Sequence, residues 1–381
     1  MTVLPITGIR VLDLSRLLPG PYLTQLLADL GAEVIKIETP RIGDYSRLVP
    51  PEMGLGNLFE SVNRGKKSVA LNYRNQRGRD IFLKLAATAD VILEGFKPGS
   101  MMRWGINYEA VRSVNEDIIY CSLSGYGQMG PYRDRAGHDL NYLAVGGALA
   151  LNARSGELPI PYGLPAADLS GAMLAAIAVL GALVGRSNNG QGMYLDMALL
   201  DGVLSWMMPL AGGAYFSGID VTAGNLPLHG GLPCFNIYQT ADDKYITLGA
   251  LEPTFWADFC KVTGRNDLIS RQFDRTIGEE ITGIFKQKRR DEWLQVFEGT
   301  SGCVEPVNSF EEMLTHPQIR ARGFIQEVDG KPVGMNSPFV FARRDLTPAP
   351  RLGEHTQQVL REMGMNDGDI QDLAEIGVIG T

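Results

Sequence analysis

Short apolar runs alternate with amphipathic stretches through the first third of the chain, and the alternation predicts elements directly. Residues 11–14, Val-Leu-Asp-Leu, read as a short strand. Pro19-Gly20-Pro21 then opens a helix from residue 22 to about 30, with Leu23, Leu26, Leu27 and Leu30 on one face. Gly31 ends it. Further strands are predicted over 33–37, 68–73, 91–93 and 118–121, with a helix over 78–87. Strands separated by helical stretches of roughly 10–15 residues predict an α/β fold with a parallel, doubly wound sheet and right-handed crossovers.

The pattern changes after residue 125. Gly and Pro punctuate residues 125–165 every few positions, and long irregular stretches inside compact domains are usually functional. Residues 171–185 form the longest apolar run, mostly Gly, Ala and Leu. A bilayer span needs roughly 20 residues, so this run predicts a buried helix and no membrane span. A second apolar segment covers 193–210, and the Gly-rich stretch 212–233 reads as a crossing between domains. A β-rich unit over 235–251, a polar helical region to about 315, a strand-like piece at 339–341 and a helix over about 357–363 complete the chain.

Composition narrows the function classes. The 381 residues are 45% hydrophobic and 20% charged with a net charge of −8, an ordinary globular balance. At roughly 150 residues per domain, two or three domains are expected. A net acidic chain is a poor general nucleic-acid binder, so an anionic ligand would need a local basic patch. Cys121, Cys234, Cys260 and Cys303 are far apart, which excludes a disulfide scaffold and the usual zinc spacings. The first ten residues carry no charged start followed by an apolar run, so no signal peptide is read and a cytoplasmic setting is expected. No G-x-G-x-x-G follows any strand, which leaves a dinucleotide site without support. Gly65-Lys66-Lys67-Ser68 resembles a P-loop only superficially, because Glu60 stands where the first glycine is required and a strand follows.

Histidine is scarce, with only His138, His229, His316 and His355, and neutral-pH proton transfer most often uses histidine. His138 lies in Gly137-His138-Asp139-Leu140-Asn141-Tyr142, a loop entering an apolar helix. Asp168 stands at the foot of the long apolar run, where it reads either as a helix N-cap or as an acid/base or nucleophile. Glu252 follows a predicted strand at its C-terminal end, where α/β sites gather, and its simpler reading is a solvated loop acid. Arg64, Lys66, Lys67, Lys97 and Arg103 fall on loops between the early strands; they suit a phosphate-bearing ligand or are ordinary solvated charges. Met207, Met208, Tyr215 and Phe216 read as core or as an adaptable apolar wall.

Together these pieces resemble the family III CoA-transferase and α-methylacyl-CoA racemase superfamily. The resemblance is carried by Leu18-Pro19-Gly20-Pro21, by 27–36 (LADLGAEVIK), by Asn63-Arg64-Gly65-Lys66-Lys67-Ser68, by 94–99 (EGFKPG) and by 123–131 (LSGYGQMGP). Three further segments are similar to the racemase branch: 136–143 (AGHDLNYL), Ala167-Asp168, and Gly230-Gly231-Leu232-Pro233 followed by 249–253 (GALEP). Residues 43–61 are longer than in compact racemases and resemble the transferases, and Thr39 stands where the racemases usually carry an arginine, with Arg41 two places on.

The resemblance implies that His138 and Asp168 are an acid/base pair and that Glu252 supports His138. It implies CoA contacts from Arg16, Arg41, Arg64, Lys67, Lys97 and Arg103, from Ala70-Leu71-Asn72-Tyr73, and from Gly137 with Asp139-Leu140-Asn141-Tyr142. The implied activity is inversion of the 2-methyl-bearing carbon of an acyl-CoA by proton transfer through an enolate. The alternative is a CoA-transferase in which Asp168 carries an aspartyl-CoA thioester; that branch needs the aspartate and no imidazole. Coenzyme A would enter as part of the substrate, with no cofactor or metal. The implied architecture is a large Rossmann-like domain (1–210, rejoined by 320–381), a crossing linker (211–232) and a smaller α+β domain (233–319). Family members are interlaced homodimers, which would bring Glu252 to His138 across subunits.

Overall fold

The early apolar runs become strands because they are buried on both faces, as a parallel sheet covered by helices requires: Val11, Leu12, Ile35, Ile37, Val69, Leu71, Ile92 and Ile119 are all sealed from solvent. The computed structural model describes residues 3–50, 57–329, 331–343 and 347–380. The strands are β1 (Arg10–Asp13), β2 (Glu33–Glu38), β3 (Lys67–Leu71), β4 (Val91–Glu94), β5 (Ile119–Ser124) and β6 (Met193–Ala198). After them come β7 (Phe235–Gln239), β8 (Tyr245–Gly249), β9 (Val304–Pro306), β10 (Ile325–Val328), β11 (Lys331–Met335) and β12 (Ile379–Gly380).

The chain divides into two compact units, one of residues 1–146, 163–206 and 320–381, the other of 147–162 and 207–319. The first unit holds a seven-stranded sheet in the order β12-β3-β2-β1-β4-β5-β6. β1 to β6 pair in parallel and β12 is antiparallel to β3. The order runs outward from β1 in one direction and from β4 in the other, so a crevice opens between β1 and β4 at the C-terminal edge of the sheet. The second unit pairs β7, β8 and β9 antiparallel over a core that includes Trp256, Phe259, Phe285 and Trp293.

Three expectations change. Residues 193–210 are not one apolar element: β6 runs straight into the helix Leu199–Ser217, giving the parallel sheet a sixth strand. Residues 339–341 form no strand, because the Ala342 N–H donates back to the Phe339 carbonyl at 2.9 Å and closes the short 3-10 turn Val340–Ala342. The apolar run 171–185 belongs to the longer helix Ala166–Asn189, buried along Ala172, Ala175, Ala176, Val179 and Ala182 but exposing Met173, Ile177 and Val184. That helix is long and apolar enough to cross a membrane by length and composition, the only such helix among the described residues, and half of its most apolar window is buried within the fold.

Beneath the crevice lies a knot of buried charges. The Lys36 ammonium stands 2.9 Å from Asp44 and 3.9 Å from Asp13 and donates to the Ser15 carbonyl at 2.9 Å. The Lys66 ammonium lies 3.4 Å from Asp13 and donates to Thr24, Asn63 and the Pro21 carbonyl at 2.7–2.9 Å. Burial pushes the Asp13 carboxyl up, but Lys36, Lys66 and hydrogen bonds from Ser15 and Thr24 outweigh it and hold Asp13 down at about 2.

Asp13 therefore contributes stability that is fully present above its ordinary value near 3.8 and is lost as the pH falls through about 2. Asp13→Ala leaves two buried ammonium groups short of their counter-charge and is expected to cost about 3–5 kcal/mol, read as a lowered urea midpoint. A loss of less than about 1 kcal/mol, the size of an exposed ion pair, would refute the structural weight given to the knot.

Candidate active site

Because β1 to β5 are parallel, the residues that follow each strand collect at one edge of the sheet. Arg16 follows β1, Arg41 follows β2, Asn72 and Tyr73 follow β3, Phe96 and Lys97 follow β4, and the 125–138 loop follows β5. The Arg16 guanidinium lies over the rings of Phe96 (4.6 Å) and Tyr45 (4.8 Å), and none of the ion pairs among the described residues engages it. Tyr73 packs on Phe96 and Trp104 at centroid distances of 6.3 and 5.5 Å, and Arg74 covers Trp104. Arg41 is exposed and held at φ 72°, a left-handed conformation costly for a side chain with a Cβ.

Arg64, Lys66 and Lys67 do not share this edge. Arg64 and Lys67 precede and open β3, so they stand at the opposite, N-terminal edge, with Arg64 2.6 Å from Asp29 and Lys67 2.6 Å from Glu33. Lys66 is in the buried knot. The Ala70 and Leu71 side chains are buried inside β3. Lys97 pairs loosely with Asp134 at 3.7 Å, and Arg133 comes within 3.8 Å of the space beside Gly99, so the 130–135 loop lies beside the turn that leads to exposed Arg103. Tyr45 and Arg74 carry no local sequence signal of a place at this edge; Arg133 belongs to an arginine pair, with Arg135, between Gly130-Pro131 and Gly137.

Each residue of the Gly137 to Tyr142 segment has a structural reason. His138 is the exposed N-cap of the helix Asp139–Val145, and its N–H donates to the Asn141 side chain at 3.0 Å. The Tyr142 hydroxyl donates to the Gly137 carbonyl at 2.5 Å, and the Tyr142 ring meets Tyr126, which meets Tyr132 in turn. Asp139 lends its carboxylate elsewhere: one oxygen accepts from the Ala167 N–H at 2.7 Å and the Asp168 N–H at 3.1 Å. The His138 loop and the start of the long helix are thus joined, and Asp168 lies in that helix's first turn rather than at its N-cap, which is Pro165.

Asp168 is half-buried, and burial pushes its carboxyl up to about 7, with the neighbouring Asp139 charge adding to the rise. A helix N-terminus would ordinarily favour the anion, so burial and like charge win here. Glu94 is raised to about 7 as well, by burial, but it is sealed at 4% exposure and bound by Ser122 and the Phe96 N–H. A raised carboxyl with no access does no chemistry on a ligand; Asp168 has both.

Glu252 lies in the second unit, exposed, as the N-cap of the helix Pro253–Val262. Its charge acts on Cys303, whose thiol is held up by burial and then by Glu252. The same unit contains an open groove of about 1550 Å³ lined by Gly230, Gly231, Pro233, Gly249 and Cys303.

The sequence profile of CoA-transferase family III matches residues 6–356. The human alpha-methylacyl-CoA racemase is 34% identical over 381 residues, covering 96% of this chain and 95% of that protein. The human succinyl-CoA:glutarate CoA-transferase is 32% identical over 395 residues, covering 98% of this chain and 90% of that protein. A solved CAIB/BAIF family protein from Brucella suis superposes with a TM-score of 0.82 at 29% identity, over 95% of this chain and 100% of that one.

A Cβ added at Gly125 would lie 2.5 Å from the Tyr142 ring and meet nothing else as its nearest atoms. Gly125→Ala is expected to cost about 1–3 kcal/mol through overpacking and close to nothing on a Tyr142→Ala background. Urea denaturation of the four proteins of that cycle measures the coupling, and an equal cost on both backgrounds would remove Tyr142 as the brace of this loop.

Proposed function

The chain belongs to CoA-transferase family III, and from that premise we propose that it is an epimerase of 2-methyl-branched acyl-CoA thioesters. It is an enzyme of the superfamily that includes both racemases and CoA-transferases. The observation that carries the finer reading is Asp168, a carboxyl raised to about 7 beside a loop that presents an exposed histidine. A group half-protonated at neutral pH can both give and take a proton, which two-base inversion demands. A carboxylate nucleophile has to be anionic, and an upward shift works against it.

In this reading the acyl-CoA lies over the C-terminal edge, with Arg16, Arg41, Lys97, Arg103 and Arg133 available to the phosphates. One base removes the α-proton and the electron pair moves onto the thioester oxygen. Backbone N–H groups of the Gly-rich loop stabilise that enolate. The second group returns a proton to the opposite face, and water exchange resets both. Coenzyme A takes part as substrate only.

The opposing reading, CoA transfer through an aspartyl-CoA thioester on Asp168, is favoured by the similarity to succinyl-CoA:glutarate CoA-transferase. The two part in D₂O. A 2-methylacyl-CoA incubated without any acceptor acid is expected to take up one α-deuterium, seen by mass spectrometry, with the rate falling about 10²–10⁴-fold in His138→Ala. CoA binding with no uptake, and acyl exchange with added carboxylic acids, would replace the epimerase with the transferase.

We also read the enzyme as a homodimer. The exposed Met173, Ile177 and Val184 along the long helix support this, since a soluble surface seldom leaves such a stripe bare. Light scattering is expected to give twice the 41.6 kDa of one chain, and a monomer that keeps full activity would refute it.

A further inference from the structure

The long helix Ala166–Asn189 begins with a defect. Its N-cap is Pro165, which offers no side-chain oxygen to the first-turn N–H groups, and such groups need a partner. The N–H groups a capping side chain normally takes are those of the second and third helical residues, here Ala167 and Asp168. Both are taken by one carboxylate oxygen of Asp139, at 2.7 and 3.1 Å, from 28 and 29 residues earlier in the chain. Asp139 sits in the first turn of its own helix and is next to His138.

We propose that Asp139 is a positioning residue, a cap supplied from a distance that holds Asp168 in register with the His138 loop. It does not touch the reacting carbon in this scheme; its carboxylate is already committed to the helix. Two consequences follow from one group. The hydrogen bonds fix where Asp168 stands, and the charge influences when Asp168 ionises. Among the described residues the charge that acts on this carboxyl is that of Asp139, which adds to the rise that burial causes; the neighbouring Tyr142, whose hydroxyl is bound to Gly137, is itself raised by burial and by Asp168.

Asparagine separates the two consequences, because its side-chain oxygen still accepts from Ala167 and Asp168 while the charge is gone. The inference rests on the acid/base reading of Asp168 for its catalytic readout, so a second measurement stands apart from catalysis. That measurement is a titration of the Asp168 carboxyl by carbon NMR on aspartate-labelled enzyme, assigned by its loss in Asp168→Asn. In Asp139→Asn the Asp168 titration is expected to move down by about one pH unit. The acid limb of kcat/KM for α-deuterium exchange should move the same way. Asp139→Ala, which removes both bonds, is expected to lower kcat at least tenfold at every pH with little change in KM, and to speed amide exchange at Ala167 and Asp168. An Asp168 titration unchanged in Asp139→Asn, or an Asp139→Ala enzyme with the parent's kcat and amide protection, would overturn the proposal. A shifted titration in an enzyme that exchanges no α-proton would instead overturn the epimerase reading and leave Asp139 in its place.

Discussion

Charge buried out of water has to be answered by charge, and the arrangement of this enzyme's ligand edge depends on that constraint at Asp13, Lys36, Lys66 and Asp44. Two lysines and two aspartates are enclosed where solvent cannot reach. Desolvation alone would favour neutral groups; near-contact distances to opposite charge and to carbonyl and hydroxyl oxygens reverse that at Asp13, Asp44 and Lys36, while at Lys66 burial wins and brings the ammonium down to about 7. The answer needs partners from β1, β2, the helix Pro19–Asp29, the turn at Asn63 and the 44–48 segment together. The knot also reaches upward. Asp13 accepts from the Ser15 N–H and Asp44 from the Leu17 N–H, at 2.9 and 3.0 Å, so the backbone on either side of Arg16 is pinned by groups beneath it. An arginine poised over two aromatic rings at the crevice is therefore placed by carboxylates that no ligand touches.

Much of the fold was legible from apolar periodicity. Strands that are buried on both faces are written as short runs of Val, Ile and Leu, and the first five were found within a few residues of their ends. β6 was hidden because Ala198 passes into Leu199 with no turn residue between strand and helix. β12 was hidden because two residues carry no period. Phe339 to Phe341 looked like a strand from composition, while backbone hydrogen bonding turned it.

The candidate site was legible in its residue types and not in its connections. His138, Asp168 and the loop glycines could be singled out from sequence. That the Asp139 carboxylate spends itself on a helix starting 27 residues later could not, because side-chain capping across such a separation leaves no local pattern. Charge was the least readable property. Arg64 and Lys67 resemble Arg103 in sequence, yet two are in ion pairs at the far edge of the sheet and one is exposed near the crevice. Asp168 and Glu94 make the converse point: burial raises both carboxyls to about 7, and only access and company distinguish a candidate acid from a sealed one.

The closing of β3 has a consequence for how the protein is made. Ile379 and Gly380 pair with Leu71 and Ala70, while the Thr356 hydroxyl accepts from the Ala70 N–H and His355 from that of Ser68. The residues that seal this edge are thus translated roughly 300 positions after the strand they cover. At the usual pace of synthesis the strand waits on the order of 15–60 s with its hydrogen-bonding groups unpaired. For that interval the nascent chain carries an open β-edge, the kind of surface that recruits chaperones or a neighbouring chain. The second unit has no such delay, since every strand it needs lies between residues 235 and 306.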